Sequence, residues 1–220
     1  MQLNTLHSWD LTPTAAIALQ RELAVQCIVD QPLALESVRW VAGVDVSVQG
    51  DESQAAVVVM TYPELQVVET VLARQPTPFP YIPGLLTFRE GPVLVEAFAQ
   101  LQQVPDVFIF DGMGRAHPRR IGIAAHLGLW LDKPTIGCGK THLIGAYTDP
   151  GLHKGAASYL SDKGEVIGAV LRTRANTKPV FISAGHRIDL DSALRLVMAC
   201  SPQYRLPEPI RAAHRAAGKM

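Results

Sequence analysis

The sequence predicts an α/β fold: a mixed sheet in which an antiparallel meander is followed by parallel strands, with helices on both faces. Three observations carry that reading. Three β-type runs follow one another between residues 40 and 72 with only turn residues separating them, the pattern of hairpin-connected strands. The apolar run Val107-Phe108-Ile109-Phe110 stops at Asp111-Gly112, as a strand buried on both faces does. Beyond residue 91, helical stretches alternate with apolar ones, which favours parallel pairing through crossovers. No internal repeat, low-complexity tract or long linker divides the 220 residues, so a single domain over residues 1–220 is expected.

Taken in order, Thr12 and Pro13 read as the N-cap and first position of a helix whose apolar stripe, Ile17, Leu23 and Ile28, carries it to Val29. In the strand Trp40–Val48, Val44, Val46 and Val48 share one face and Gly43, Asp45 and Ser47 the other, because successive side chains of a strand alternate. Gly50-Asp51-Glu52-Ser53 turns the chain into a second strand, Ala55–Met60, and Tyr62-Pro63-Glu64 into a third, Gln66–Leu72. Gly91-Pro92 starts a helix through Gln102, followed by the strand Val107–Phe110, a helix Ile121–Leu131 and a short strand Thr135–Gly137. Strands at Val166–Leu171 and Val180–Ser183 and a helix Asp191–Cys200 complete the series.

Composition narrows the function classes. With 48% hydrophobic and 18% charged residues the chain is globular in type, and no apolar run reaches the ~20 residues of a membrane span. The first ten residues lack a basic segment followed by an apolar one, so a cytoplasmic protein without membrane contact is expected. Cys27, Cys138 and Cys200 fit neither a disulfide framework nor a zinc pattern and read as buried thiols. The balance of 20 basic and 20 acidic side chains conceals an asymmetry: residues 1–70 hold 2 basic and 9 acidic groups, residues 71–220 hold 18 and 11. A basic half is either a solvated surface or the footprint of an anionic partner such as nucleic acid.

Two nucleotide motifs are near-misses. Gly137-Cys138-Gly139-Lys140-Thr141 ends like a phosphate-binding loop, but Pro134, which has no N–H, stands where that loop needs its first glycine. Gly112-Met113-Gly114-Arg115-Ala116-His117 follows a strand as a dinucleotide fingerprint would, with His117 in the place of the third glycine.

Carboxylates carry the chemistry that remains. Asp45 interrupts a strand of valines, a position that disfavours it by propensity and by the cost of an unpartnered buried charge. Asp111 ends a core strand, where open α/β sheets gather their ligands. Glu90, at the start of a helix, either completes a set of three or only favours the helix dipole. Three such carboxylates would suit Mg²⁺, which takes a few carboxylate oxygens and leaves the rest of its octahedron to water and phosphate. His117 and His214 lie among arginines and could meet phosphate, His214 in a basic segment with Arg205, Arg211, Arg215 and Lys219; His126 and His142 receive no role. Pro80-Tyr81-Ile82-Pro83-Gly84 is a stiff turn that either packs on the core or offers an apolar wedge to a base step.

In order along the chain, these stretches resemble the endonuclease V family of deoxyinosine-directed nucleases. The matching segments are Val41–Ser47, Pro80–Leu86 with Phe88-Arg89-Glu90, Phe110-Asp111-Gly112 with Ala116-His117-Pro118-Arg119, Pro134–Gly137 with Lys140, and Arg205–Pro209 with Arg211 and His214. The resemblance implies a ribonuclease H-like fold. It also implies Mg²⁺-dependent hydrolysis, with Mn²⁺ able to substitute, of the second phosphodiester bond 3′ to a deaminated purine, leaving 3′-hydroxyl and 5′-phosphate ends. By that likeness Asp45, Asp111 and Glu90 serve the metal, His214 completes the catalytic group and Lys140 approaches the scissile phosphate. Tyr81 is the wedge within Pro80–Gly84, and Gly84, Leu86, Gly112 and Ile123 form the pocket for the flipped base, with His117 beside them. The implied partner is deoxyinosine-containing DNA acted on by a monomer, inosine-containing RNA being a second candidate. A related nuclease of branched or bulky damaged DNA, and a lesion-binding module without cleavage, are the rival readings. Cys138-Gly139 and Ile210 depart from the family's usual Val-Ala and Thr, and the glycine bears on how Lys140 is placed.

Overall fold

The computed structural model describes residues 1–218; Lys219 lies outside them. Helix α1 (Pro13–Ala24) precedes a 3₁₀ turn at Leu35–Ser37 and the meander β1 (Trp40–Gln49), β2 (Glu52–Thr61) and β3 (Val67–Pro76). Then come α2 (Leu86–Gln100), β4 (Val107–Phe110), α3 (Ile123–Leu131) and β5 (Thr135–Gly139). The chain continues through β6 (Ala157–Asp162), β7 (Glu165–Leu171), β8 (Val180–His186), α4 (Leu190–Ala199) and α5 (Glu208–Ala217). All eight strands form one sheet in the order β3-β2-β1-β4-β5-β8-β7-β6. β1, β4 and β5 run parallel, and every other neighbouring pair is antiparallel.

Strand alternation divides the core in two. On one face Val41, Ile109, Ile136 and Ile182 meet Leu196 of α4 and Ile210 of α5. On the other, Val44, Val57, Phe108 and Phe110 meet Phe98 of α2 and Leu127 of α3. Helices therefore cover both faces, and the meander with its following parallel strands stands as expected.

The departures are local. α1 stops at Ala24 rather than Val29 because the following chain is claimed by tertiary bonds: Ile28 N–H donates to His186 Nδ1, and Leu33 N–H to Ser192 Oγ. α2 begins at Leu86, five residues before Gly91, so Pro92 sits inside the helix and Glu90 is an interior residue rather than a starting one. The earlier start follows from Phe88, fully buried with Leu85, Phe79 and Ala16. The edge strand β6 escaped the sequence because Ala-Ser-Tyr-Leu-Ser-Asp has one buried apolar residue, Leu160. The last strands, β6 to β8, are antiparallel and add a second meander to the parallel centre. Cys138 and Cys200 are buried thiols, whereas Cys27 is only half-buried. No helix among the described residues is long and apolar enough to cross a membrane.

Residues before α1 close the far side of α2 and α3. His7, Trp9, Phe88, His126 and Trp130 pack ring against ring, with Trp9 stacked on Trp130 at a centroid separation of 5.1 Å. His7 Nδ1–H donates to the Ser8 carbonyl, so its Nε2 accepts from Trp130 Nε1–H at 3.3 Å and from His126 Nε2–H at 2.7 Å. His126 is wholly buried with no partner for Nδ1, and burial, with His7 and His117 nearby, pushes its pKa down to about 3.

A histidine held neutral in the fold takes up a proton on unfolding wherever the pH lies below its unfolded value of 6.5, so its contribution to stability falls as pH falls. At pH 5 this amounts to about 2 kcal/mol. Equilibrium urea unfolding of the wild type and His126→Phe at pH 7.5 and 5.0 is expected to show the variant losing about 2 kcal/mol less over that interval; parallel pH dependences would contradict a neutral buried His126.

Candidate active site

β1 alternation sends Gly43, Asp45 and Ser47 toward α5. A Cβ on Gly43 would lie 2.0 Å from the Pro209 carbonyl oxygen, so only glycine lets the start of α5 press against the strand. α5 then carries His214 over the carboxylate two residues along, and His214 Nδ1 lies 2.7 Å from Asp45 Oδ2. The far end of α5 is fastened by Gln54, fully buried in β2, whose Nε2 donates to Ala216 O at 3.2 Å and Ala217 O at 2.8 Å. Arg74 donates in turn to Gln54 Oε1.

Parallel pairing supplies the second carboxylate. Val44 is level with Phe110, and the Asp111 N–H continues the ladder by donating to Val44 O at 3.0 Å. Asp111 therefore stands beside Asp45. Phe110 is level with Gly137 of β5, and Lys140, immediately past that strand, forms an ion pair with Asp111. The Lys140 carbonyl accepts from Arg205 Nη2 at 2.7 Å, so the backbone behind the ammonium is held. The space left by the missing Gly139 side chain is filled by the Met113 thioether.

Ligand atoms of Asp45, Asp111 and His214 all lie within 4.8 Å of one another. Glu90 falls outside that group yet feels it: burial first, then the charges of Asp45 and Asp111, push its carboxyl up to about 8 against the pull of Arg89. Burial, followed by Asp111, raises Asp45 as well, and His214 and Lys140 oppose the rise. Carboxylates forced together in this way are stabilised in their charged form by a cation between them. Carboxylate oxygens are the donors that a hard divalent ion such as Mg²⁺ or Mn²⁺ takes.

Two clefts meet here. One, of about 240 Å³, is lined by Asp45, Ser47, Asp111, Lys140 and His214. The other, of about 380 Å³, has Tyr81, Ile82, Pro83, Gly84 and Leu86 on one side. Gly112, Met113, His117 and Ile123 face them, and Asp111 and Lys140 belong to both clefts. Pro80 lies outside the lining. Tyr81 is 70% exposed, which excludes a core role for its ring. His117 is buried and its pKa is lowered to about 4, first by burial and then by Arg119. Its Nδ1 accepts from Arg119 N–H and its Nε2–H donates to Gly84 O, so the phosphate contact expected from its arginine-rich surroundings has no free nitrogen to make it.

The N–H of Gly112 is not free either, since it donates to Phe110 O at 2.9 Å. Lining N–H groups without a protein partner among the described residues include those of Met113 and of Ile123, the first residue of α3, both on the wall that faces the Tyr81 loop. Gln54 was not singled out in the sequence, and Arg205, there part of the basic segment and of a matching stretch, had no assigned contact. The signals were a glutamine opening an apolar strand and an arginine flanking Pro207.

The model of one family, described as Endonuclease V, matches residues 21–215. Endonuclease V of Nostoc sp. is 49% identical over 219 residues, covering 99% of each chain. The crystal structure of endonuclease V from Bacillus subtilis superposes with a TM-score of 0.94 at 33% identity, covering 99% of this chain and 95% of that one. The Ciona intestinalis endonuclease V, crystallised with a DNA containing an inosine followed by a ribo-adenosine, superposes with a TM-score of 0.83 at 28% identity, covering 94% and 96%. With a ribonuclease H-like sheet, a carboxylate cluster at the end of its parallel strands and relatives alike over nearly the whole length, this chain belongs to the endonuclease V family of nucleases.

Proposed function

We propose that the protein is a DNA repair endonuclease that recognises a deaminated purine, deoxyinosine above all. In this reading it acts as a monomer on the second phosphodiester bond 3′ to the lesion and leaves 3′-hydroxyl and 5′-phosphate ends. The observation that carries the reading is the shared border of the two clefts: a base seated beside Gly112 and Ile123 keeps its own strand next to Asp111 and Lys140. The Ciona enzyme's complex with inosine-containing DNA supports the base assignment, and the ribo-adenosine in that DNA favours inosine-containing RNA as a second substrate.

Asp45 and Asp111, with Glu90 beside them, would hold Mg²⁺. When bound, such an ion supplies Lewis acidity toward a phosphoryl oxygen and makes a nucleophile of water at neutral pH. Lys140 presents an ammonium where negative charge grows in the transition state. His214, anchored through Nδ1 by Asp45 and otherwise exposed, has Nε2 available to hold or pass a proton. The unpartnered N–H groups of Met113 and Ile123 suit the carbonyl oxygen by which hypoxanthine differs from adenine. An adenine there would leave such a donor unpaired, at about 1–3 kcal/mol. Tyr81, exposed at the lip, can fill the gap an extruded base leaves.

End-labelled DNA and RNA, duplex and single-stranded, with and without one inosine, incubated with Mg²⁺, report activity, substrate class and cleavage position together. Equal cutting of a branched duplex lacking inosine would overturn the reading. Asp45→Ala and Asp111→Ala are each expected to lower single-turnover cleavage by about 10³-fold or more while inosine-DNA binding persists; near wild-type cleavage by Asp111→Ala would refute its assignment to the metal. Lys140→Ala should slow the chemical step by about 10²–10³-fold with a smaller effect on affinity, and equal losses in both would make it one electrostatic contact among several. Tyr81→Ala should weaken inosine-duplex binding by about tenfold, in line with the value of one aromatic–base stack, and weaken single-strand binding less. Its melting temperature should not move, because the ring is exposed.

A further inference from the structure

One backbone carbonyl, that of Gly84, accepts hydrogen bonds from three side chains. They are Gln20 Nε2 at 3.0 Å, His117 Nε2 at 3.0 Å and Arg119 Nη2 at 2.7 Å. Gly84 ends the Pro80–Gly84 loop with φ +80°, a conformation that only glycine adopts without strain. At the loop's other end, Arg89 Nη1 donates to Phe79 O at 2.8 Å. The four residues between these two fastenings, Pro80 to Pro83, carry the exposed Tyr81.

Gln20 joins more than the loop. The same Nε2 reaches Ile121 O at 3.4 Å, and its Oε1 accepts from Arg119 Nε at 2.5 Å. Ile121 lies two residues before Ile123 in the opposite wall of the base-sized cleft, so one amide ties the lip that bears Tyr81 to the wall that faces it. Gln20 is 1% exposed, on the face of α1 that also buries Ala16 and Leu23. An apolar side chain would pack there without the desolvation a buried amide incurs, and the amide is retained with both its donor and its acceptor engaged across three segments. It also lies just ahead of the residues matched by the family model.

We propose that Gln20, acting with Arg119, is a positioning residue for substrate selection. It sets the separation between the Tyr81 loop and the Ile123 wall, so that a base leaving a duplex meets wedge and pocket in register. This rests on the base-extruding activity proposed above. A single strand, whose base is already unpaired, makes less use of the wedge and depends less on the anchor.

Two measurements on the full chain test it. Hydrogen exchange over residues 80–86 of the free protein, with the Leu85 N–H that donates to Ile82 O at 2.9 Å as reporter, judges the anchor whatever the enzyme cuts. Single-turnover cleavage of one inosine in a duplex and in a single strand judges the consequence. In Gln20→Leu, exchange over 80–86 should rise about tenfold and duplex cleavage fall about tenfold, with single-strand cleavage changing less than about threefold. Gln20→Glu, which keeps the acceptor for Arg119, should fall between Gln20→Leu and the wild type. Unchanged exchange over 80–86, or equal losses on the two substrates, overturns the proposal. If the wild type cuts no inosine substrate, the functional reading fails and takes the selection role with it, while the exchange data still decide the anchor. Should Gln20→Leu not fold, Arg119→Lys, which keeps the charge but loses the forked donation, is read by the same criteria.

Discussion

Two like charges held side by side, Asp45 within β1 and Asp111 just past the end of the parallel strand β4, are the constraint around which the rest of the molecule is arranged. The β1–β4 register makes Asp45 and Asp111 neighbours, and neither can move without breaking the ladder that carries it. Their repulsion is sharpened by burial, and Glu90 feels both. Every positive or polar element nearby answers that charge. Lys140 pairs with Asp111, and α5 is pressed onto β1 at Gly43 so that His214 reaches Asp45. A cation would complete such a site electrostatically, which is the physical basis of the metal role proposed for the cluster.

The groups that position this chemistry are buried or half-buried polar side chains bound to backbone carbonyls. Gln54 holds the end of the helix that bears His214, Arg205 holds the carbonyl of Lys140, and Gln20 with Arg119 holds that of Gly84. Each replaces water on an otherwise stranded carbonyl and fixes a segment that has no regular ladder of its own. Loops are thereby made as definite as the sheet beneath them, a condition for chemistry that tolerates little misplacement.

Much of the site was legible because its residues violate local preference. An aspartate among valines, a carboxylate at a strand end and a proline-clamped tyrosine each ask for an explanation in one dimension. The fold was legible where periodicity was strong, as in β1, β4 and α3. It was obscure in β6, where one apolar side chain is buried, and at the start of α2, where Gly91-Pro92 looks like a helix start but the packing of Phe88 draws the helix back to Leu86.

The sequence by itself determined which side chains share a face, because alternation along a strand follows from backbone geometry: Gly43 with Asp45, opposite Val44. It also determined, through ordered motifs, the family to which those residues belong. Only the tertiary structure decided what meets across elements. That Gln20, 64 residues from Gly84 and 99 from Arg119, joins them behind the cleft depends on three segments converging in space. So does the union of base-sized and carboxylate-lined clefts at Asp111 and Lys140. Local propensity acts over a few residues, whereas such contacts exist only after the long-range packing of both sheet faces has brought distant segments together.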